Sequence, residues 1–143
     1  MREENPGLDV VVTSLASDAH TWNLVYLQLV LEELGHRVVN LGACVPDSLL
    51  VTECVRRAPD LVLVSSVNGH GYHDGLRVIA ALRARLSGTA IVIGGKLGTD
   101  GVDGVRERAA QLVAAGYDAV FEDGTGMAAF RAFLARLRPG VRV

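Results

Sequence analysis

The stretch that decides the fold is LDVVVTSLASDAHTWNLVYLQLVLEEL, residues 8–34. Its first part, 8–15, is an apolar run rich in valine, which is typical of a strand buried on both faces of a parallel sheet. In its last part, 21–34, leucine and valine recur at helical spacing, and Gly35 follows as a stop signal. The stretch therefore predicts a strand, a short polar loop and a helix.

The same alternation of strand and helix continues along the rest of the chain. Further strands are predicted at 37–41, 60–67, 89–93 and 118–121, and further helices at 47–58, 74–86, 102–115 and in a last segment ending at 137. Each parallel crossover needs a helix to return the chain, so helices should cover both faces of the sheet. A closed barrel would need more strands. We therefore expect an α/β fold with a flavodoxin-like, doubly wound, five-stranded parallel sheet of order 2-1-3-4-5.

Length and composition indicate one domain. The chain has 143 residues, of which 50% are hydrophobic and 21% charged, and we expect a single Rossmann-like domain over 1–143 that is frayed at 1–7 and 139–143. A net charge of −2 argues against nucleic-acid and membrane-surface partners. No run approaches the roughly 18 apolar residues of a membrane span, and no leader opens the chain, so a soluble cytoplasmic protein is expected. Cys44 and Cys54 lack CxxC spacing and are interpreted as reduced packing residues.

Most of the unusual residues follow the first, third and fourth strands, in segments 17–20, 65–73 and 94–104. In the flavodoxin-like order, the loops after the first and third strands flank a crevice at the carboxyl edge, where ligands bind. Gly94 and Gly95 end the fourth strand, where backbone without side chains can approach a flat ligand or simply turn.

Asp18 and His20 form the first candidate pair in these loops. The Asp18 carboxylate could accept a hydrogen bond from one imidazole nitrogen while the other nitrogen faces the crevice, which raises the basicity of the ring toward a metal. Alternatively, Asp18 or Thr21 caps the first helix and His20 is an exposed loop residue. The residues alone leave both interpretations open.

The loop after the third strand holds further candidates. His70 and His73 lack the ligand number and spacing of a zinc site, so we interpret them as part of a glycine-flanked loop covering a ligand, with His73 or Asp74 starting the next helix. Ser65 and Ser66 close an apolar strand, where each hydroxyl needs a partner. Neighbouring backbone or a bound ligand could supply it.

Other doubly wound families fit these loops poorly. A response-regulator receiver needs an aspartate at the end of the third strand and a lysine after the fifth, where this chain has 65–67 and 122–124. Nicotinamide-binding and phosphate-loop folds need glycines after the first strand, and 15–22 contains none. A flavodoxin stays as a weak alternative, since only Ser17 and Thr21 answer its need for a phosphate loop.

Taken in order, the loops resemble those of the cobalamin-binding domain, whose signature is DxHxxG, then SxL, then GG. Asp18 and His20 match the first motif, 65–67 lies at the second, Gly94–Gly95 at the third, and Gly124–Thr125 at a further loop. The likeness covers nearly the whole chain. The stretch LVSSVNGHG, residues 63–71, and the length of one bare domain resemble more closely the small subunits of glutamate mutase, also called methylaspartate mutase.

This resemblance implies a cofactor, cobalamin in its adenosyl form, and separate subunits for binding the cofactor and the substrate. In the family a protein histidine replaces the lower benzimidazole ligand of cobalt, which would be His20 here, with Asp18 behind its ring. The nucleotide tail would lie in a pocket lined by Ser65 and the glycine pair. The implied cofactor-binding positions are Ser17, Asp18, Ala19, His20, Thr21, Asn23, Ser65, Val67, Gly69, Gly94, Gly95, Gly124 and Thr125.

The resemblance assigns no catalytic side chain to this chain. The cofactor performs the radical chemistry, and a separate large barrel-type subunit binds the substrate. The expected function is therefore that of the small subunit of an adenosylcobalamin-dependent isomerase, acting in a homodimer or heterotetramer.

Two positions depart from the family pattern. Val67 replaces the leucine of SxL with a small loss of volume, whereas Asn23 replaces the motif glycine and adds a side chain where the nucleotide tail lies. We therefore expect Asn23 to obstruct the pocket. A corrinoid carrier or sensor, and a degenerate domain that serves as an interaction protein, stay as alternatives. The first strand begins near Leu8 with no helical bundle ahead of it, which favours the mutase over the carrier.

Overall fold

Strands and helices alternate through the computed structural model, which describes residues 7–98, 104–122 and 126–137. The strands are β1 (Asp9–Thr13), β2 (Arg37–Asn40), β3 (Leu61–Ser66), β4 (Ala90–Gly95) and β5 (Ala119–Glu122). The helices are α1 (Trp22–Glu33), α2 (Asp47–Arg57), α3 (Gly71–Arg85), α4 (Val105–Ala115) and α5 (Gly126–Arg136). Gly124, Thr125 and nearly all of the segments expected to fray lie outside the described residues.

The sheet is parallel and has the order β2-β1-β3-β4-β5, which confirms the predicted fold class and topology. The chain leaves β1 toward one edge of the sheet and, after β2, returns to β3 on the other side of β1. The strand order therefore reverses between β1 and β3. The loops that follow these strands open a crevice at the carboxyl edge, where such folds bind ligands.

Two apolar clusters cover the two faces of the sheet. Alternate residues of β1 enter different clusters because successive side chains of a strand point to opposite faces. Val11 packs with residues of α2, α3 and α4, whereas Val10 and Val12 pack with residues of α1 and α5. The near-continuous apolar run that predicted β1 is thus explained by burial on both sides.

Two element boundaries differ from the prediction and reshape the carboxyl edge. Helix α3 begins at Gly71 rather than at His73 or Asp74, so the expected covering loop is only 67–70. Its first turn is bonded to the segment that follows β4: the Tyr72 N–H donates to the Leu97 carbonyl at 2.9 Å. A Cβ on Gly71 would lie 2.7 Å from the Ser66 Cβ. Strand β4 extends through Gly95 because its last residues still pair with β3. The predicted start of α4, at 102, lies outside the described residues.

The two cysteines are free thiols in different environments. Cys54 is buried on α2 as expected, and burial raises the pKa of its thiol to about 12. Cys44 is exposed and has a positive φ of 53°, so its interpretation as a packing residue is wrong. The structure uses its backbone instead, since the Cys44 N–H donates to the Asp18 carbonyl at 2.8 Å.

Candidate functional site

Asp18 anchors the loop that follows β1. Its side chain is 2% exposed, and its Oδ1 accepts the His20 backbone N–H at 3.0 Å and the His20 Nδ1–H at 2.7 Å. Its Oδ2 accepts the backbone N–H of Val67 at 2.7 Å. The predicted hydrogen bond between Asp18 and the imidazole is confirmed. One buried carboxylate therefore joins the loops that follow β1 and β3.

The hydrogen bonds of Asp18 keep its carboxylate charged. Burial by itself raises the pKa of the carboxyl, but the backbone N–H groups of His20 and Val67, and the side chains of His20 and Ser66, outweigh it. The pKa of Asp18 therefore lies below its usual value. A buried anion of this kind holds the proton of His20 on Nδ1.

The orientation of His20 leaves Nε2 available to a ligand. The His20 side chain is 60% exposed, whereas its Nδ1 is occupied by Asp18. The capping alternative is not what the structure shows: Thr21 lies at the N-cap position of α1 but makes no side-chain cap bond. An imidazole fixed through one nitrogen and open at the other is the usual form of a histidine metal ligand.

A second layer of polar contacts holds Ser17, next to Asp18. The Ser17 hydroxyl donates to Asp74 Oδ2 in the first turn of α3, and the Asn68 amide donates to the Ser17 carbonyl at 2.9 Å. Burial acts to raise the pKa of Asp74, but hydrogen bonds from Ser17 and Arg77 bring it below the usual value. The loop after β1 is thus held by α3 as well as by β3.

Sequence reasoning missed this second layer. Asn68 has no sequence signal that marks it as a site residue, and the pattern predicts Asp74 only as a helix start. Arg77 pairs with Asp74 at 3.1 Å and also with Asp47 of α2, at 2.6 and 3.2 Å. One signal could have found Asp74: it is a carboxylate in the first turn of a helix that begins at the ligand-binding edge of the sheet.

A cavity of about 190 Å³ lies beside this loop, between α1, α5 and the strands β3, β4 and β5. It brings together four of the predicted site residues, Asn23, Ser65, Gly94 and Gly95. The rest of its lining is apolar and consists of Leu27, Leu63, Val64, Phe121, Met127 and Phe130. The cavity has the composition of a pocket for a largely apolar group that carries a few polar atoms.

Two of the residues in this lining bond to each other. The Asn23 amide donates to the Ser65 hydroxyl, so Ser65 takes a side-chain partner rather than the backbone or ligand partner considered from the sequence. The Ser66 hydroxyl likewise donates to the Asn68 Oδ1 at 3.2 Å. Asn23 therefore occupies part of the cavity wall and engages one of its polar groups.

The glycine pair that lines the cavity is also required by the sheet. Gly95 has a φ of +109°, and a Cβ there would lie 2.1 Å from the Ser66 carbonyl oxygen. A Cβ on Gly94 would lie 3.0 Å from the carbonyl oxygen of Phe121. The close approach of three strands therefore demands these glycines whether or not a ligand is present.

The remaining candidates are distributed around the edge. Gly69 and His70 of the loop after β3, and His73 in the first turn of α3, line a different cavity of about 390 Å³, together with Tyr72, Leu97, Gly98 and Arg108. Ala19 and Thr21 are exposed on the loop after β1. Among the described residues, no three His, Cys, Asp or Glu side chains cluster as a metal site.

Comparison with known proteins shows where the chain belongs. The model of the B12 binding domain matches residues 8–131. The glutamate mutase sigma subunit of Halobacterium salinarum is 34% identical over 122 residues, covering 84% of this chain and 80% of that protein. The glutamate mutase sigma subunit of Treponema denticola is 31% identical over 122 residues, covering 82% and 85%.

Solved structures show the same fold at lower identity. A cobalamin-binding protein from Desulfitobacterium hafniense has a TM-score of 0.60 at 22% identity, over 80% of this chain and 52% of that one. The methanol:cobalamin methyltransferase complex MtaBC from Methanosarcina barkeri has a TM-score of 0.63 at 19% identity, over 93% of this chain and 48% of that one. NtrX from Brucella abortus has a TM-score of 0.67 at 16% identity, over 92% of this chain and 26% of that one. The chain thus spans about half of two of these structures and about a quarter of the third.

The family match runs from β1 into α5, and the sigma subunits align along most of the chain. The residues that the family model matches include the Asp18–His20 pair and the strands that line the cavity. The chain belongs to the B12 binding domain family.

Proposed function

We propose that this chain is the cobalamin-binding small subunit of an adenosylcobalamin-dependent mutase, glutamate mutase, which converts L-glutamate to 3-methylaspartate with a separate barrel subunit. The observation that carries the proposal is the buried Asp18 carboxylate that holds His20 with Nε2 free. The sigma-subunit relatives support the choice of reaction.

The described residues fit the cofactor that the family implies. A protein nitrogen would replace the benzimidazole ligand of cobalt, and the displaced nucleotide tail would need a cleft. His20 presents such a nitrogen, and the cavity lined by Ser65, Gly94 and Gly95 offers an apolar cleft next to it. Ala19 and Thr21 flank the ligand on the same exposed loop.

Each residue of the loop then has a defined task. When bound, adenosylcobalamin supplies homolytic cleavage of its cobalt–carbon bond. His20 would bind the cobalt through Nε2, and Asp18 would keep the imidazole in one tautomer and raise its basicity. Ser17 would be held by Asp74 and Asn68, so that the loop keeps its shape before the cofactor arrives. Val67 contributes its backbone N–H to Asp18.

The assembly proposed for this subunit follows from the same division of labour. A large barrel-type subunit would bind the substrate, in a heterotetramer or around a homodimer of the small subunit. A cytoplasmic location without nucleic-acid or membrane partners accords with the net charge of −2. No helix within 7–98, 104–122 and 126–137 has the length and apolar character to span a bilayer.

One observation favours a second candidate function. The Asn23–Ser65 hydrogen bond closes off two polar groups that the nucleotide tail would otherwise use. A domain that has lost tail binding and serves as an interaction module would show such a contact. The two candidates differ in whether the purified chain retains cobalamin.

The test is a cobalamin titration followed by desalting and a visible absorption spectrum. The wild-type chain is expected to retain cobalamin with the spectrum of a histidine-ligated, benzimidazole-off cofactor. His20→Ala should abolish that spectrum, and Asp18→Asn should weaken binding by about 10–100-fold.

The matched control is His70→Ala, since His70 is exposed at the same edge but lines the other cavity. It should leave the spectrum unchanged. An unaltered spectrum and affinity in His20→Ala would refute the assignment of the ligand. If the wild-type chain retains no cobalamin, the result would favour the interaction module over the mutase subunit.

A further inference from the structure

The cavity of about 390 Å³, which we call the second cavity, lies at the carboxyl edge of the sheet. Its walls come from the loop after β3, the segment after β4 and the helices α3 and α4. Tyr72 and Leu97 of these walls pack in the apolar cluster between the sheet and α2, α3 and α4. Leu63 and Phe130, which line the cavity of about 190 Å³, belong to the cluster on the other face. The two cavities therefore lie on opposite faces of the sheet, and the proposed function assigns no role to the second one.

Arg108 of α4 gives the wall of the second cavity a fixed positive charge. The residue is only 7% exposed, and it lines the cavity. A guanidinium stays protonated in proteins and only donates hydrogen bonds. It packs against the backbone of Gly98, because a Cβ there would lie 2.6 Å from Arg108 Cζ. The glycine at 98 therefore leaves the room that this charge occupies.

Two histidines add hydrogen-bond donors to the same wall. His70 and His73 are exposed and both line the second cavity, and an imidazole carries at least one N–H in either protonation state. Among the described residues that line this cavity, none is Asp or Glu. Asp74, next to His73, is engaged elsewhere, since its carboxylate accepts hydrogen bonds from Ser17 and Arg77. The polar part of the described wall is therefore suited to a negatively charged group.

The rest of the second cavity is apolar and held in place by the backbone. The Tyr72 N–H donates to the Leu97 carbonyl at 2.9 Å, which joins the first turn of α3 to the segment after β4. The Tyr72 ring meets the His73 ring edge to face, with centroids 5.1 Å apart. A volume of about 390 Å³ is in the range of pockets that bind small organic molecules. The occupant therefore has an organic body as well as a charge.

We propose that the second cavity binds a small organic oxyanion, either a carboxylate or a phosphate ester. Its charged group lies at Arg108, His70 and His73, because a guanidinium fork matches the paired oxygens of a carboxylate or a phosphate. Its organic body lies against Tyr72 and Leu97. The residues that carry this inference are not those that carry the proposed function, so neither proposal rests on the other.

Isothermal titration calorimetry with three small probes tests the charge requirement. Phenyl phosphate and benzoate each carry an oxyanion on an apolar ring, whereas benzamide has nearly the shape of benzoate without its charge. At least one of the two anions should bind saturably, with one site per chain. Benzamide should bind at least about tenfold more weakly, because a hydrogen bond to a charged group is stronger than one to a neutral group. Whichever anion binds more tightly identifies the natural ligand as a phosphate ester or a carboxylate.

Gly98→Ala locates the binding site without removing the arginine. The added Cβ displaces the flexible end of the Arg108 side chain, so the affinity for the anionic probe should fall by at least about tenfold. Gly88→Ala is the matched control, since a Cβ at Gly88 meets nothing within 4 Å, and it should leave the affinity unchanged. His73→Gln should also weaken binding, whereas Arg131→Gln, which removes an exposed cation from α5, should not.

Three outcomes would overturn the proposal. They are a wild-type chain that binds neither anion, benzamide binding as tightly as benzoate, and a loss of affinity in Gly98→Ala no larger than in Gly88→Ala. If Gly98→Ala fails to fold by circular dichroism, His73→Gln compared with Arg131→Gln decides instead, because both side chains are exposed. A chain that binds the anionic probe but no cobalamin would contradict the proposed function and leave this inference standing.

Discussion

Asp18 organises the carboxyl edge of the sheet through both its side chain and its backbone. The carboxylate holds His20 and the backbone N–H of Val67, and the Asp18 carbonyl accepts the N–H of Cys44. The loops after β1, β2 and β3 therefore meet at one residue. A buried carboxylate is tolerated in this position because N–H donors surround it.

At the residue scale, Asn23→Gly is expected to change affinity and stability in opposite directions. The substitution removes the amide that lines the cavity and releases the Ser65 hydroxyl, so cobalamin should bind more tightly. Glycine in a helix costs about 0.5–1 kcal/mol relative to alanine, so the variant should melt lower. Cobalamin titration and thermal unfolding measure the two effects.

Asn23→Ala is the control for this prediction. It removes the same amide and the same hydrogen bond to Ser65 but keeps good helix propensity, so it should tighten binding with a smaller loss of stability than Asn23→Gly. If both variants bind cobalamin more weakly at unchanged helix content, Asn23 is itself a contact to the cofactor and not an obstruction.

Asp74 makes stability depend on pH. Its pKa is lowered in the folded chain by Ser17 and Arg77 despite burial, so its contribution is complete above the unfolded pKa of about 3.9 and is lost as pH falls through the folded value. Asp74→Asn should lower the unfolding free energy at neutral pH by about 1–2 kcal/mol. Urea unfolding at a series of pH values should show the two proteins converging in acid. A difference that is the same at every pH would contradict this origin.

At the scale of elements, close backbone approach decides where helices and strands begin and end. Helix α3 starts early because Gly71 lets its first turn lie against Ser66. Strand β4 ends late because Gly95 passes beside the Ser66 carbonyl with a positive φ. Both contacts are at the end of β3, so one position of the sheet sets the shape of two neighbouring elements.

We expect Arg83, in the last turn of α3, to contribute strongly to stability at the edge of the sheet opposite the cavity. Arg83 pairs with the buried Asp118 at 2.7 Å. Its guanidinium also donates to the carbonyls of Leu86, Thr89 and Gly116. Arg83→Met removes these donors and the charge that faces Asp118, so it should cost about 3–5 kcal/mol in urea unfolding.

Arg77→Met provides the control for Arg83→Met. Arg77 also pairs with aspartates, but its side chain is 52% exposed, and pairs of this kind contribute about 0–1 kcal/mol. Equal losses in the two variants would contradict the role assigned to burial. Cobalamin binding measured well below the melting temperature should be unchanged in Arg83→Met, because this residue is remote from the cavity.

At the scale of the whole molecule, binding and stability occupy opposite edges of one sheet. The carboxyl edge carries His20 and the cavity, whereas the amino edge carries the Arg83–Asp118 pair. The two apolar clusters between them cover both faces of the sheet. Substitutions at one edge should therefore leave the function of the other intact.

In the proposed enzyme this chain binds the cofactor and a separate subunit binds the substrate, which leads to a prediction for the whole molecule. The isolated chain with adenosylcobalamin should turn over neither glutamate nor methylaspartate. Mixing the chain with a glutamate mutase large subunit and adenosylcobalamin should form methylaspartate, and His20→Ala should reduce that activity strongly. Proton NMR of the amino acids follows the reaction. Turnover by the isolated chain would contradict the assignment of substrate binding to a separate subunit.

The sequence by itself determined the five βα units, the order of the sheet and the Asp18–His20 pair. These depend on the period of apolar residues or on neighbours along the chain, which are properties readable in one dimension. Only the tertiary structure decided that Asn23 bonds Ser65, 42 residues away, and that Ser17 bonds Asp74, 57 residues away. It also decided that the sheet itself requires Gly94 and Gly95. Such contacts arise only when α1 and α3 pack against the sheet and β5 pairs with β4, and no local pattern of residues specifies which distant side chains then meet.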